Sequence, residues 1–362
     1  MELRVALWHG TNAIPSVRIV GEAEVEARGV RRSPVGRLEI TAGIRPRVRI
    51  DGLEAALDLP LTIRPRDRRK LLELNGSQWR GALEVWPEGS GFRIVNRVSI
   101  EDYVAGVVAN EMFAHPEAFK VQAVISRTFA LYVARVERRW QHAGFDVSVS
   151  DQVYRGVAGE TPLARHAVQA TFGEVLTYSD RPMFAAYDAN AGGHTETVDV
   201  VWPGSVRSQF PYLRAVASPY DRSALELPGY EDSWRWSRFL TWRQIEQKLR
   251  ESGFLVTEVR SIQALRGGAS QRLMRVEVAH SEGRLRIDGA DPIRTALGLP
   301  GARAEVRPTS DGIWVEGFGL GHGVGLSQHG AWGLARAGYS YRQILGHYYH
   351  GAVIQVHKDA AR

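Results

Sequence analysis

The chain has 362 residues, 44% hydrophobic and 24% charged, which is typical of a globular protein with ample apolar material for a core. The net charge is +6, and the absence of cysteine excludes disulfides, thiol nucleophiles and cysteine–zinc sites. A basic surface favours polyanionic partners, but the arginines are spread along the chain and no nucleic-acid-binding motif is present. We therefore predict no nucleic-acid partner.

The sequence predicts neither a signal peptide nor a membrane span in this chain. The N-terminal segment MELRVALWHG lacks the basic start and long apolar run of a signal peptide, so none is predicted in this chain. No stretch approaches ~18 uninterrupted apolar residues, and we predict no transmembrane segment.

Residues 1–97 are predicted to form a β-rich N-terminal lobe. Apolar side chains alternate with others at 3–7 and 47–50, and glycine and proline separate these short runs. The segment 93–98 is predicted to be the last strand before the pattern changes.

The hydrophobic period becomes helical from Ser99. Ser99, with an aspartate three residues later, is typical of a helix N-cap and predicts a helix to about residue 109. A proline in its first turn opens a second predicted helix at 116–139, which is apolar nearly all round and should be buried. Gln122 and Arg127 interrupt this apolar surface, and a buried arginine requires a nearby acceptor or carboxylate.

The rest of the chain mixes short strands and helices. Helices are predicted at 164–171, 242–252, 331–337 and 341–349, and strands at 255–265 and 273–278 with a turn at Gly267 and Gly268 between them. We predict an α+β fold in which the helical pair of 99–139 packs on a mixed or antiparallel sheet.

Glu111 is the first candidate for chemistry. It follows the apolar run 103–109 at a helix end, and an apolar setting favours the neutral form of a carboxyl group, which can then donate a proton. From the residues alone, a solvated glutamate at a helix terminus is the commoner interpretation.

A glycine-rich stretch is the second candidate. Glycine recurs at every second position from 317 to 325, and His322, Ser327 and Gln328 lie in or just after this stretch. Glycine allows a ligand or another backbone to approach closely, which suits sugar binding, but a tight structural turn explains the pattern equally well. The stretch lacks the GxGxxG fingerprint of dinucleotide-binding sites.

The polar loop at 187–197 is the third candidate, with Tyr187, His194 and Thr195 as possible site residues. A simple turn is the competing interpretation of this loop. Histidines also occur at His347 and His350, three residues apart on a predicted helix. A zinc hydrolase therefore stays open as an alternative, although it requires at least three converging ligands.

Four blocks of the sequence resemble the SpoIID/LytB family of sporulation and cell-wall proteins. The blocks are IEDYVAGVVANEM at 100–112 with EAFKVQAVISRT at 117–128, the loop at 187–197, RTALGL at 294–299, and the segment 319–338 with ILGHYYHG at 344–351. They cover about residues 98–352, and the first 95 residues match no family that we can name.

The resemblance implies a lytic transglycosylase that acts on peptidoglycan glycan strands. Glu111 stands at the position of the family's catalytic glutamate and would serve as both acid and base. Gln122 and Arg127 match helix residues that would support the site. His322, Ser327 and Gln328 match the family's glycine-rich block and would line the same cleft, which is expected between Glu111 and residues 319–330.

The resemblance also bears on zinc and on partners. His194 matches a family loop that holds zinc in some members, where cysteines join histidines. This chain has Ala191 where such a cysteine is expected and no cysteine elsewhere, so no metal is predicted and His194 is the one candidate ligand. The alternatives are a non-catalytic amidase enhancer that binds the cell wall or a cell-wall amidase, and a generic basic module for anionic surfaces.

The family implies an extracytoplasmic location in the cell envelope. The predicted domains are the β-rich lobe at 1–97, a SpoIID-like catalytic domain at 98–352 with a semi-separate inserted lobe at about 230–310, and a C-terminal tail at 353–362.

Overall fold

The computed structural model describes residues 1–358. The chain divides into two compact units, the first formed by Met1–Phe184 with the chain from Ile354 onward and the second by Ala185–Val353. Mostly antiparallel sheets and separate helical segments build both units, which confirms the predicted α+β class. Within residues 1–358, no helix is both long and apolar enough to span a bilayer.

Strands dominate the first hundred residues of the first unit, as the alternating pattern predicts. The strands are β1 (Glu2–Trp8), β2 (Ser16–Ala27), β3 (Val30–Thr41), β4 (Arg47–Ile50), β5 (Leu53–Glu54), β6 (Leu61–Pro65), β7 (Leu72–Leu74), β8 (Ser77–Trp79), β9 (Ala82–Glu88) and β10 (Gly91–Ser99). They form one sheet in the order β1-β10-β9-β6-β2-β3-β4-β5, in which β7 also pairs with β2 and β8. Alternate side chains of β6 are buried, which is the period of two that a half-covered sheet requires.

Two helices follow this sheet. Helix α1 (Ile100–Glu111) begins at Ser99, whose hydroxyl accepts the backbone N–H of Asp102 at 3.1 Å, so the predicted N-cap is confirmed. Helix α2 (Pro116–Leu131) begins at the predicted proline. Helix α1 packs against β10 and β1, as predicted for the helical pair on a sheet.

The second predicted helix is wrong beyond Leu131. Residues Tyr132–Glu137 form a π-helix, and Arg138 leaves it in the left-handed conformation with φ of 53°. A π-helix is rare, and the sequence does not predict the change from i→i+4 to i→i+5 hydrogen bonds. The first unit continues with β11 (Val147–Ser148), α3 (Pro162–Ala170), β12 (Glu174–Tyr178) and β13 (Arg181–Pro182). Strand β11 pairs in parallel with β1, which makes the large sheet mixed.

The second unit contains the glycine-rich stretch and several small sheets. Its strands are β14 (Tyr187–Asp188), β15 (Arg235–Thr241), β16 (Ser261–Gly267), β17 (Arg272–His280), β18 (Gly283–Asp288), β19 (Arg303–Pro308), β20 (Gly312–Phe318) and β21 (Leu326–Ser327). Its helices are α4 (Val198–Val201), α5 (Glu231–Trp234), α6 (Trp242–Glu251), α7 (Ala290–Leu297), α8 (Gln328–Arg336) and α9 (Tyr341–Tyr348). Strand β22 (Val353–Val356) pairs with β12.

The elements of the predicted lobe at 230–310 share one apolar core. Ile245 and Leu249 of α6, Val276 of β17 and Ile293 of α7 are fully buried together there. The strand predicted at 255–265 begins only at Ser261, because Glu258 adopts a φ of 48° and interrupts the extended chain. The predicted domain boundaries stay predictions, and residues 359–362 of the predicted tail lie outside the described residues.

Candidate active site

Glu111 is the last residue of α1, two residues beyond where the sequence predicts the helix to end. Its side chain is half-buried, and its Oε1 accepts the backbone N–H of Val153 at 2.6 Å. The residues before it, from Tyr103 to Val108, are buried, so the glutamate stands at the end of a helix that the core holds firmly. One oxygen of Glu111 is therefore positioned by a backbone group that no side-chain motion can remove.

A second carboxylate lies in this part of the first unit. Burial raises the pKa of Tyr103 well above its usual range, and the negative charges of Asp151 and Glu111 add to that effect. Asp151 is almost fully buried and accepts hydrogen bonds from Arg139 at 2.6 Å, Trp140 at 2.7 Å and the backbone N–H of Ser148 at 2.8 Å. Its carboxylate is thus committed to structural partners.

The buried arginine of α2 has the carboxylate partner that the sequence requires, and the partner is Glu101. Arg127 donates from Nη2 and Nε to the two oxygens of Glu101 at 2.6 and 2.9 Å, and from Nη1 to the carbonyl oxygen of Glu174 at 2.9 Å. Gln122 is fully buried and donates to the Ser126 hydroxyl at 2.9 Å. Both side chains brace α2.

In the second unit, the structure brings the glycine-rich stretch beside the loop at 187–197. Strand β14 pairs in parallel with β21, which places Tyr187 beside Leu326 and Asp188 beside Ser327. The backbone N–H of Val324 donates to Nδ1 of His322 at 3.0 Å, so Nε2 carries the proton and donates to the carbonyl oxygen of Tyr187 at 2.9 Å. Both ring nitrogens of His322 therefore hold the backbone of this turn.

His322 is electrically neutral near pH 7. Desolvation lowers its pKa to about 4, with the positive charges of Arg294 and Arg272 acting in the same direction and Asp291 opposing them. The ring of Trp202 lies against the imidazole, with 5.0 Å between the ring centroids. The neutral ring suits a hydrogen-bonding role rather than an ionic one.

Ser327 caps α8 and is tied to a buried carboxylate. Its hydroxyl donates to Asp221 at 2.5 Å and accepts the backbone N–H of Gly330 at 3.2 Å. Asp221 also accepts the Ser218 hydroxyl at 2.7 Å and the backbone N–H of Gly193 at 2.7 Å. Burial raises the pKa of Asp221, and these hydrogen bonds oppose the rise. Gln328, the first residue of α8, is also buried.

The predicted residues His194 and Thr195 lie on an extended segment that pairs with the chain near Val216. The Thr195 hydroxyl is buried and accepts the backbone N–H of Val216 at 2.8 Å. His194 is half-buried, and its Nδ1 lies 2.7 Å from the carbonyl oxygen of Thr195, which makes Nδ1 the donor. The backbone carbonyl of His194 accepts Nη1 of Arg272 at 2.9 Å.

Sequence reasoning missed two buried ionisable residues in the second unit, Arg272 and Asp188. Arg272 is fully buried and donates from Nη2 to the carbonyl oxygen of Ala191 at 2.8 Å. Burial raises the pKa of Asp188 to about 8, although Arg272 and the backbone N–H of Gly323 oppose the rise. Asp188 lies within the quoted 187–197 block and could have been singled out, whereas Arg272 and Asp221 stand in ordinary strand and turn sequences with no distinguishing signal.

The histidines do not assemble into a metal site. Among residues 1–358, no group of three or more histidine or carboxylate side chains has an arrangement that could hold a metal ion. His347, which the zinc-hydrolase alternative uses, has its Nε2 2.9 Å from the carbonyl oxygen of Ala217. The arrangement that this alternative requires is therefore lacking in the described chain.

Comparison with known proteins identifies two matching family models. A model described as "Stage II sporulation protein" matches residues 88–178, which include α1, α2 and Glu111. A model described as a domain of unknown function matches residues 223–325, which include the apolar core around α6 and α7.

Curated relatives extend the similarity over most of the chain. "Stage II sporulation protein D" of Bacillus subtilis is 32% identical over 277 residues, which are 72% of this chain and 75% of that protein. An uncharacterised protein of Brachyspira hyodysenteriae is 31% identical over 78% of this chain and 73% of its own length. The "Amidase enhancer" of Bacillus subtilis is 27% identical over 69% of this chain and 40% of that protein.

Proposed function

The chain belongs to the SpoIID/LytB family, and from this premise we propose that it is a lytic transglycosylase that cleaves peptidoglycan glycan strands with Glu111 as its acid and base. The names of its relatives, a sporulation protein and an amidase enhancer, support a role connected with the cell wall and exerted outside the cytoplasm.

The position of Glu111 carries the proposal. The side chain is only half-buried, so a polymer can reach it, while the Val153 N–H holds one of its oxygens at 2.6 Å. A glutamate bound to Arg127 would have favoured a binding or structural role. Arg127 instead donates from Nε and Nη2 to the carboxylate of Glu101.

The reaction needs one carboxyl group. Protonated Glu111 donates its proton to the glycosidic oxygen between N-acetylmuramic acid and N-acetylglucosamine, and the bond from that oxygen to the muramic anomeric carbon breaks. The muramic O6 hydroxyl then bonds to the same carbon and passes its proton to the Glu111 carboxylate. The products are a 1,6-anhydro end and a free glucosamine hydroxyl, and the glutamate is protonated again without the use of water.

The state of Asp151 supports a mechanism with one carboxylate. A hydrolase of the two-carboxylate type would need a second group to attack the sugar or activate water. Asp151 shares the surroundings of Tyr103 with Glu111, but Arg139, Trp140 and Ser148 occupy its two oxygens.

Similarity to an amidase enhancer favours a second candidate function. In that role the chain would bind glycan or a cell-wall amidase without cutting the glycan. Glu111 would then be a contact residue. The predicted substrate contacts of Tyr187, His194, Thr195, His322, Ser327 and Gln328 would serve either function, and their approach to Glu111 stays a prediction.

Mass spectrometry of denuded glycan strands incubated with the protein tests the proposal. Wild type should release fragments with 1,6-anhydro ends, and Glu111→Gln should lower the rate by about a hundredfold or more. Glutamine keeps the oxygen that accepts the Val153 N–H, so the variant should fold. Glu22→Gln is the matched control because Glu22 is an exposed carboxylate on β2, and it should cleave like wild type.

Each other outcome has a definite meaning. Fragments with reducing ends would indicate a hydrolase and would refute the transglycosylase. Glycan binding without cleavage by wild type would favour the amidase-enhancer role. Equal cleavage by wild type and Glu111→Gln would remove Glu111 from the chemistry.

A further inference from the structure

The first unit contains an arginine-lined pocket that the proposed reaction does not use. It encloses about 400 Å³, within the range of small-ligand sites. We call it the arginine pocket. Its lining includes Arg4, Arg135, Arg138, Gln141, Phe145 and Asp146.

The three arginines come from two separate parts of the first unit. Arg4 belongs to β1, Arg135 to the π-helix, and Arg138 is the residue with φ of 53° that follows it. A helix C-terminus attracts cations by itself, which would account for Arg135 and Arg138 alone. It does not account for Arg4, which a separate strand brings to the same cavity.

The backbone that supports the pocket is unusual in two respects. A π-helix such as Tyr132–Glu137 is rare and frequently marks functional sites. A left-handed conformation at a residue other than glycine, here Arg138, is strained and also tends to occur where a side chain must be aimed.

The ion pairs within and beside the pocket leave some of the arginine N–H donors without a hydrogen-bond partner in residues 1–358. Asp146 accepts the backbone N–H of Arg4 at 2.9 Å and Nη1 of Arg135 at 3.3 Å. Arg4 donates from Nη2 to Glu84, outside the lining, at 2.6 Å, yet its buried Nε has no hydrogen-bond partner in residues 1–358. The Arg138 side chain is exposed and forms no ion pair with any described residue. The three arginines of the pocket therefore outnumber the two carboxylates that pair with them, Asp146 and Glu84.

We propose that the arginine pocket binds a phosphate group. Phosphate is tetrahedral and accepts hydrogen bonds from several directions, so it fits guanidinium groups that converge from separate elements. Phe145, which also lines the pocket, packs with Ala6 and Val95 in a small apolar cluster. The phosphate can be a free ion or a monoester on a sugar, since both present the same oxygens.

Isothermal titration calorimetry with inorganic phosphate, at constant ionic strength, tests the proposal on the full chain. Wild type should show saturable binding to one site, and Arg138→Gln should weaken it by about tenfold, the usual effect of losing a charge-assisted hydrogen bond. Arg135→Gln is a second variant with the same expected effect. Arg68→Gln is the matched control, because Arg68 is an exposed arginine of the same unit outside the pocket, and it should bind like wild type.

A second titration with glucose 6-phosphate identifies the source of the phosphate. Tighter binding of the ester than of the inorganic ion supports a site for a sugar phosphate, and the reverse supports a site for the free ion. Absence of saturable binding of both probes by folded wild type would overturn the proposal. Equal weakening by Arg68→Gln and Arg138→Gln would also overturn it, since general surface charge would then explain the binding. These results do not depend on whether glycan is cleaved.

Discussion

Arg127 and Glu101 form a two-pronged ion pair in the first unit, with 2.6 Å between Nη2 and Oε2 and 2.9 Å between Nε and Oε1. The arginine side chain is fully buried, whereas about a sixth of the glutamate is exposed, at 17%. The pair joins the first turn of α1 to the C-terminal half of α2. The two helices of the proposed catalytic region are thus held together by charge as well as by apolar packing.

Removing the carboxylate of this pair should destabilise the chain strongly. Glu101→Gln leaves the Arg127 charge buried without a counter-charge, so the free energy of unfolding should fall by about 3 kcal/mol. Chemical denaturation measures the change. Glu22→Gln is the control, because it breaks an exposed pair with Arg66 at 2.8 Å and should cost at most about 1 kcal/mol. If the free energy of unfolding fell equally in the two variants, burial would not determine how much an ion pair stabilises this chain.

The local features of these helices were predictable from the sequence, and their tertiary partners were not. Ser99 and Pro116 predict where the two helices begin, because N-caps and first-turn prolines act on backbone groups within one turn. Burial of Arg127 follows from the apolar residues around it, but any of several carboxylates could have been its partner. Several partners of Asp221 and both carbonyl partners of Arg272 are distant in sequence, so no local pattern identifies these two residues.

The stability of the chain should depend on pH through Asp188. In the folded chain its pKa is raised to about 8, whereas an unfolded aspartate loses its proton near pH 4. Between these values the folded state holds more protons, so the contribution of Asp188 to stability falls as pH rises, by up to about 1.4 kcal/mol per pH unit.

Comparison of wild type with Asp188→Asn isolates this contribution. Asparagine cannot ionise, so its contribution does not change with pH. The free energy of unfolding of wild type, relative to that of Asp188→Asn, should therefore fall from pH 5 to pH 8. Asp232→Asn, at an exposed aspartate of the second unit, should show no such trend. A pH-independent difference for Asp188→Asn would contradict a protonated Asp188.

His322 should remain neutral well below the usual range for histidine. Its pKa is lowered to about 4, so the stability that it contributes is complete above about pH 6.5 and is lost as pH falls towards 4. Ring ¹⁵N NMR should show the neutral form with the proton on Nε2 down to about pH 5, and the spectrum of His322→Gln assigns the signals. Protonation near pH 6.5 would mean that solvent reaches the ring and that the turn is not held as described.

Two helical glycines provide a test of the buried network around Asp221. A Cβ added at Gly330 of α8 would overlap the Tyr348 hydroxyl and lie 2.5 Å from the Ser218 hydroxyl oxygen, and these two hydroxyls are themselves hydrogen-bonded at 2.7 Å. Gly330→Ala should therefore lower the free energy of unfolding by about 2 kcal/mol or more, because the core cannot yield without breaking hydrogen bonds.

Gly346→Ala is the matched control in the neighbouring helix α9. A Cβ at Gly346 meets nothing within 4 Å, so alanine should stabilise the helix by about 0.5–1 kcal/mol through the smaller backbone entropy of the unfolded chain. Thermal and chemical denaturation of both variants would separate the two effects. If Gly330→Ala proved as stable as Gly346→Ala, the space beside Gly330 would be larger than the structure gives it, and the network of Asp221, Ser218 and Tyr348 would be able to rearrange around the added methyl group.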